Sequence, residues 1–137
     1  MDEIDEKIIS ILKKDSRTPY IEIAKAVGLS EGAVRKRIQN LVKNEIIKRF
    51  SIEVTAKEGI KAVTLVSTTP SIPTPQVAEQ IRAINGVEVV YEVTGQYDVA
   101  AVISGADIAA INKCIDEIRH INGIKDTNTL IVLKAWY

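Results

Sequence analysis

The chain has 137 residues, of which 46% are hydrophobic and 26% charged, and its 18 basic residues balance 18 acidic ones. This length suits one large domain or two small ones, and no apolar run reaches the roughly 18 residues that a membrane span needs. A single cysteine, Cys114, and a single histidine, His120, argue against disulfide frameworks, Cys-based zinc sites and most histidine-driven catalysis. We expect a soluble cytoplasmic protein, without a cofactor, whose function depends on binding.

The charges are distributed unevenly along the chain. Residues 1–54 carry 11 Lys and Arg against 9 Asp and Glu, whereas residues 55–137 carry 7 against 9. Within the first part, the window from Asp15 to Phe50 holds eight basic and four acidic residues. Such a basic stretch is typical of a protein that binds a polyanion, although a solvated helix face would carry the same charges.

The first part is predicted to form three helices. Apolar residues at helical spacing predict an amphipathic helix from about Asp2 to Lys14 and a second from about Tyr20 to Val27. Gly28 ends the second helix, and Ser30 begins the third, because its hydroxyl can accept hydrogen bonds from amides of the first turn. The predicted inner stripe of the third helix is Val34, Ile38, Leu41 and Val42.

Two helices joined by Gly28-Leu29-Ser30 indicate a helix-turn-helix, because the second helix has small residues at its start and basic residues outside. The small residues would let this helix approach base edges, its outer polar residues can bond bases or phosphates, and its flanking arginines can hold phosphates. The predicted DNA-binding residues are Ser30, Gly32, Ala33, Arg35, Lys36, Arg37, Gln39 and Asn40. The alternatives are a three-helix bundle with a charged surface and, for Arg37, a structural ion pair with Asp5 or another first-helix carboxylate.

Residues 46–54 alternate between apolar and polar side chains, which predicts a strand. Such a strand would follow the helices as a wing. The predicted domains are therefore a winged helix-turn-helix over 1–54, a hinge over 55–60 and a second domain over 61–137.

The second part contains an internal repeat, in which residues 81–87 reappear as residues 118–124 with a helix ending at Asn-Gly before a strand. Two βαβ units in tandem predict a ferredoxin-like fold, which makes the whole chain an α+β protein. The predicted elements are a strand Ala62–Thr69, a helix Pro75–Asn85, strands Val87–Thr94 and Tyr97–Ser104, a helix Asp107–Asn122 and a strand Lys125–Ala135.

Two of these strands, at residues 99–103 and 130–133, are apolar on both faces. Two helices can cover only one side of a four-stranded antiparallel sheet, so the other side must be buried against another surface. We expect that surface to be the same face of a second copy, in a closed twofold dimer.

A series of motifs runs through the chain in a fixed order. It comprises Ile4-Asp5 with Ile8-Ile9-x-Ile11-Leu12, Asp15-x-Arg17, Ile23-Ala24-x-x-Val27-Gly28-Leu29-Ser30, Val34-x-x-Arg37-Ile38-x-x-Leu41, Ile46-Ile47 and Gly95-Gln96-Tyr97-Asp98. With these motifs the chain resembles the Lrp/AsnC, or feast/famine, transcription regulators over essentially its whole length. The resemblance implies a winged helix-turn-helix joined to a ferredoxin-like effector (RAM) domain, dimers that often assemble into octamers, and amino-acid effectors bound between dimers.

The loop at residues 95–98 also has a physical interpretation. Gly95 permits a tight turn whose open amides can hold a carboxylate, and Asp98 can take an ammonium group. Thr127 and Thr129 lie two apart on the last strand, so their hydroxyls face one side, and the family pattern places them near the same site. The predicted effector-binding residues are Gly95, Gln96, Tyr97, Asp98, Thr127 and Thr129, with glutamine or lysine as the predicted effector. The alternative is a hairpin glycine, a structural aspartate and two ordinary strand threonines.

The predicted function is that of a sequence-specific DNA-binding transcription regulator, not an enzyme, whose DNA binding or assembly responds to an amino acid. One alternative is a decarboxylase of haem biosynthesis, since some such enzymes resemble the same family in both domains. Another is a small-molecule sensor that acts through a protein partner.

Overall fold

The computed structural model describes residues 1–55 and 59–137 of the chain. The chain divides into two compact units, Met1–Thr55 and Ala56–Tyr137. Residues 56–58, which belong to the predicted hinge, lie outside the described residues. Among the residues described, no helix is both long and apolar enough to cross a lipid bilayer.

Three helices form the first unit, as the apolar spacing predicts: α1 spans Glu3–Lys14, α2 spans Tyr20–Val27 and α3 spans Glu31–Lys43. Each helix turns its apolar side inward. Ile8 of α1 and Val34 of α3 are fully buried in one hydrophobic cluster. Burying a side chain of this size stabilises a fold by roughly 1.5–3 kcal/mol. These contacts therefore hold α3 against α1 and leave the outer face of α3 toward solvent.

Two local signals set the turn between α2 and α3. Gly28 has a φ of 72°, in the left-handed region that favours glycine, and its amide donates to the carbonyl of Ala24 at 2.9 Å. The hydroxyl oxygen of Ser30 then accepts a hydrogen bond from the amide of Ala33 at 3.1 Å and caps α3. The chain thus passes from α2 into α3 through a short turn, as predicted for a helix-turn-helix.

The prediction of a wing strand over residues 46–54 is wrong for the single chain. These residues form no strand, and Ile52 and Val54 are 75% and 63% exposed. A strand needs a neighbouring strand for its backbone hydrogen bonds, and the described residues of this unit contain only helices as regular elements. Val42, predicted for the inner stripe of α3, is also 44% exposed, since Leu41 beside it takes the buried position.

The second unit contains four strands and two helices. In chain order they are β1 Ile60–Thr68, α4 Thr74–Arg82, β2 Val87–Glu92, β3 Val99–Gly105, α5 Ile108–Arg119 and β4 Ile124–Ile131. The strands form one antiparallel sheet in the order β2-β3-β1-β4. This order and the alternation of strands and helices confirm the predicted ferredoxin-like fold.

Each of the four strands differs from its predicted range at one or both ends, and the largest difference is at the end of β4. β4 ends at Ile131, although the apolar pattern predicted a strand as far as Ala135. Ile131 pairs with Ala62, and the amide of Val132 still donates to the carbonyl of Lys61 at 2.9 Å, so little of β1 remains to pair with residues further along. β1 in turn begins at Ile60, inside the range predicted as a hinge.

The two faces of the sheet have different surroundings. On one face, Ala62, Val66 and Ala101 are fully buried in a core that includes residues of α4 and α5. We call the other face the open face. Because side chains alternate along a strand, the open face presents Val63, Leu65, Val89, Tyr91, Ala100, Val102 and Leu130. The described helices therefore cover one side of the sheet and leave an apolar surface on the other.

Candidate functional site

The outer face of α3 carries polar side chains that the sequence predicts for DNA contact. Lys36, Gln39 and Asn40 are exposed there. A Cβ added at Gly32 would meet no described atom within 4 Å, so the backbone at this point borders open space. We call Gly32, Lys36, Gln39 and Asn40 the recognition face. Lys36 supplies a cation, and Gln39 and Asn40 supply two side-chain amides, which are the groups that bind base edges and phosphates. The small residue Gly32 lies near the N-terminal end of the same helix.

Arg35 lies at the edge of the recognition face. Its Nη2 is 3.3 Å from Oε1 of Glu31, and its guanidinium lies 5.5 Å from the ring centre of Tyr20. Both members of this ion pair are about half exposed, and an exposed pair one helical turn apart contributes only about 0.3–0.5 kcal/mol. A DNA phosphate can therefore replace Glu31 at little cost, and Arg35 remains suited to a phosphate contact.

Arg37 points toward α1. Its Nη1 lies 2.7 Å from Oδ2 of Asp2 and 3.1 Å from Oδ1 of Asp5. The hydrogen bond from Arg37 is the main cause that lowers the pKa of the Asp2 carboxyl, and the hydrogen bond to Asp2 is the main cause that raises the pKa of the Arg37 guanidinium. The structure therefore contains the ion pair that was the alternative to a phosphate contact, and a DNA contact by Arg37 stays a prediction.

The predicted effector loop, residues 95–98, lies between β2 and β3. Gly95 has a φ of 109°, a conformation that favours glycine, and Gln96 is exposed. Oδ2 of Asp98 accepts hydrogen bonds from both the amide and the hydroxyl of Thr68, at 2.8 and 3.2 Å. Because Thr68 ends β1, these bonds anchor the loop to a strand of the sheet.

Thr127 and Thr129 face the same side of β4, as predicted, and that side is the one covered by the helices. Thr129 pairs in register with the fully buried Thr64, and their hydroxyl oxygens are 3.2 Å apart. Oγ1 of Thr127 accepts a hydrogen bond from Nε of Arg119, in α5, at 3.1 Å. Both hydroxyls therefore have partners within the chain.

Tyr97 makes its contact on the opposite side of the sheet. Its hydroxyl oxygen accepts a hydrogen bond from Nδ2 of Asn128 at 3.3 Å. Asn128 lies between Thr127 and Thr129, so its side chain points to the open face. Within one chain, the structure thus brings Tyr97 together with Asn128 and places the two threonines on the other side.

Three residues at these positions were not singled out from the sequence: Asp2, Thr68 and Asn128. Asp2 could have been found as the cap of α1, since Asp5 follows it at capping-box spacing, and the structure shows that reciprocal pair. The alternation along β4 indicates that Asn128 faces away from the threonines. Which loop Asn128 meets depends on strand register, which no local signal supplies.

Two family models match the chain, one in each unit. The AsnC-type helix-turn-helix domain matches residues 1–42, which contain the recognition face. The Lrp/AsnC ligand binding domain matches residues 61–137, which contain the loop at 95–98 and the whole sheet.

Similar proteins match over nearly the full length. The chain is 50% identical to the HTH-type transcriptional regulator LysM of Saccharolobus solfataricus, over 100% of this chain and 96% of that protein. It is 34% identical to the HTH-type transcriptional regulator FL11 of Pyrococcus furiosus, over 98% and 91% of the two chains.

Solved structures share the fold. AsnC of E. coli is 26% identical, covers 98% of this chain and 93% of its own, and superposes with a TM-score of 0.73. A feast or famine regulatory protein of M. tuberculosis, solved in complex with L-methionine, is 24% identical, with 99% and 94% coverage and a TM-score of 0.83.

The helix-turn-helix with its polar outer face, the ferredoxin-like sheet and the full-length matches lead to one conclusion. The chain belongs to the Lrp/AsnC family of helix-turn-helix transcriptional regulators, in which a DNA-binding unit is joined to a ligand-binding unit.

Proposed function

We propose that this regulator binds a free amino acid at the loop 95–98, and that this binding changes its DNA contacts or its assembly. The anchored loop is the observation that carries the proposal. Gly95 opens the backbone at a φ of 109°, and Asp98 is held by Thr68. Amides exposed in such a turn can hold a carboxylate, which every free amino acid carries. Two proteins of the same fold were solved with L-methionine, which makes amino acids the first ligand class to test.

Asp98 can serve both the loop and the ligand. Its Oδ2 accepts the two bonds from Thr68, and a carboxylate has room for about four hydrogen bonds in all. We propose that Oδ1 accepts a bond from the ammonium group of the effector. Thr127 and Thr129 lie on the side of the sheet that α5 covers, away from Tyr97 and Asn128. We therefore propose them as effector-binding residues only for a site that is shared between dimers.

The polar neighbours of the loop favour an effector with a polar side chain. Tyr97 offers a hydroxyl and Asn128 an amide, and the two groups lie together on the open side of the sheet. A site built to hydrogen-bond a polar ligand group rejects an apolar ligand, because its own polar groups would then be left without partners. Glutamine and lysine are therefore the proposed effectors.

The open face supports a proposal of self-association. Tyr91 and Leu130 on this face are 54% and 50% exposed, and Val63 and Val102 lie between them in the sheet register. A large apolar patch on a protein surface marks an interaction site, and the same patch on a second copy is complementary by twofold symmetry. We propose a dimer through this face, with dimers assembling further into an octamer.

The proposed mechanism is a population shift. An effector changes an equilibrium only by as much as it binds one state better than another. A ligand at the junction between dimers would favour one spacing of the helix-turn-helix units, and so one set of DNA half-sites. We propose that the protein acts in the cytoplasm.

Binding rather than catalysis is the activity proposed. A haem-pathway decarboxylase needs several basic and histidine side chains in its cavity to hold a polycarboxylate macrocycle. Residues 55–137 contain only seven basic residues in all and a single histidine. A sensor that acts only through a protein partner would not need the polar groups of the recognition face. DNA binding by the purified chain discriminates between these alternatives.

The test of the proposed site is a thermal-shift screen of the wild type and Asp98→Asn against the twenty amino acids. A ligand that binds only the folded state raises the melting temperature. Asparagine keeps an oxygen for Thr68 but loses the charge. A bond to a charged group is worth about 1.5–3 kcal/mol, so we expect affinity for the effector to fall roughly tenfold to a hundredfold. The bonds from Thr68 also lose their charge assistance, so the unliganded melting temperature should fall while the protein stays folded.

Glu117→Gln, an exposed change in α5, is the control, because it alters the net charge equally and lies outside the loop. It should keep the full effector shift. Undiminished effector affinity in Asp98→Asn would place the site elsewhere. Loss of DNA binding together with effector binding would show that Asp98 has a structural role alone.

A further inference from the structure

Arg37 is the one arginine of the predicted DNA-binding set that contacts two carboxylates of another helix. Its side chain is 30% exposed, and that of Asp5 only 15%. Asp2 and Asp5 are also bound to each other's backbone amides at the start of α1, with distances of 2.9 and 3.3 Å. The guanidinium therefore binds two side chains whose positions are already fixed by a helix cap.

This arrangement competes with a phosphate contact. The two carboxylates are tethered in the same chain, so they remain beside Arg37 whether or not DNA is present. A phosphate would have to replace two charge-assisted bonds, each stronger than a bond between neutral groups. Arg35 differs, because its carboxylate partner is a single, half-exposed Glu31 on its own helix.

The carboxylates also set the charge next to the recognition face. Arg37, Asp2 and Asp5 together carry a net charge of −1. Asp5 and Arg37 line the same surface cleft as Lys36 and Asn40. The two carboxylates therefore offset part of the positive charge that Lys36 and Arg37 bring to this end of α3, and so weaken its attraction for phosphates.

We infer that Asp2 and Asp5 are positioning residues for DNA binding, which hold Arg37 against α1, keep it off the phosphates and fix the orientation of α3. DNA binding itself follows from the family, whereas the new role belongs to two acidic residues at the start of α1, before the two helices α2 and α3 that form the turn. Its consequence is specific. Removing the two carboxylates should increase the number of phosphate contacts, while removing Arg37 should leave that number unchanged.

The experiment measures affinity against salt concentration for a duplex that the wild type selects from a random pool, and for a scrambled duplex. The salt dependence is the slope of log affinity against log salt concentration. For Asp2→Asn/Asp5→Asn, we expect this negative slope to become steeper by about 0.9 for each α3 bound to DNA, because Arg37 is released to contact a phosphate. The ratio of affinities for the selected and scrambled duplexes should fall. Asparagine is as good a helix cap as aspartate, so α1 should still form.

Arg37→Gln should weaken binding to the selected duplex without flattening the salt dependence. Added to the double variant, it should return the salt dependence to the wild-type value. The matched control is Glu3→Gln/Glu6→Gln, which changes the same charge in the same turn of α1. If Arg37→Gln flattened the dependence by about one unit per helix, or the control steepened it as much as the double variant, the inference would be overturned. An unchanged dependence in the double variant would also overturn it.

Discussion

Replacing Arg35 and Lys36 with alanine should weaken DNA binding sharply and flatten its dependence on salt. Lys36 makes no ion pair among the described residues, and Arg35 has only the exposed partner Glu31. The slope of log affinity against log salt is negative, and each lost phosphate contact reduces its magnitude by about 0.9. The double variant should therefore lose up to about 1.8 units for each α3 in contact with the duplex, as measured by fluorescence anisotropy across a salt series.

Arg82→Ala/Lys113→Ala is the matched control for this variant. It also removes one arginine and one lysine, both exposed, but from helices of the second unit. We expect its salt dependence to stay close to that of the wild type. Wild-type binding by Arg35→Ala/Lys36→Ala at every salt concentration would show that α3 is not the recognition helix.

A charge on the open face should separate the protomers of the proposed dimer. In the single chain, Leu130 is 50% exposed on the edge strand β4, so Leu130→Asp should fold. In a dimer, the new carboxylate would be buried without a partner, at an effective cost of several kcal/mol per ion. We expect the dissociation constant of the dimer to rise by at least about a hundredfold. Analytical ultracentrifugation would measure this change, and Val102→Asp, at the centre of the face, should have a larger effect.

Gln80→Glu adds the same charge at an exposed position of α4 and should leave the dimer intact. Circular dichroism and melting curves establish that each variant is folded. A wild-type protein that sedimented as a monomer at micromolar concentration would contradict the dimer. A Leu130→Asp dimer as tight as the wild type would place the interface elsewhere.

The elements of this fold are largely predictable because their signals are local. Gly28 and Ser30 identify the turn between α2 and α3, and apolar spacing identifies the helices on either side. The prediction of a wing strand failed for a non-local reason. Residues 46–54 have the alternation of a strand, but a strand also needs a partner, and this unit provides none among its described residues.

The sequence predicts which residues belong to the sites, but it does not predict which distant residues they bond to. The even spacing of Thr127 and Thr129 correctly predicts that they share a side. Which side they share depends on the register that pairs Thr129 with the buried Thr64. The bond from Arg37 to Asp2 joins residues 35 positions apart, so it depends on how α3 packs against α1. No periodicity along one helix contains that information.

The most direct test of the account is the affinity of the intact protein for its selected duplex with and without an amino acid at saturating concentration. We expect at least one amino acid, with glutamine and lysine foremost, to change the affinity or the number of chains per duplex. Coupling between two sites is typically worth 1–3 kcal/mol, so the affinity should change about fivefold or more. A protein that bound the selected and scrambled duplexes equally, or whose binding none of the twenty amino acids altered, would contradict it.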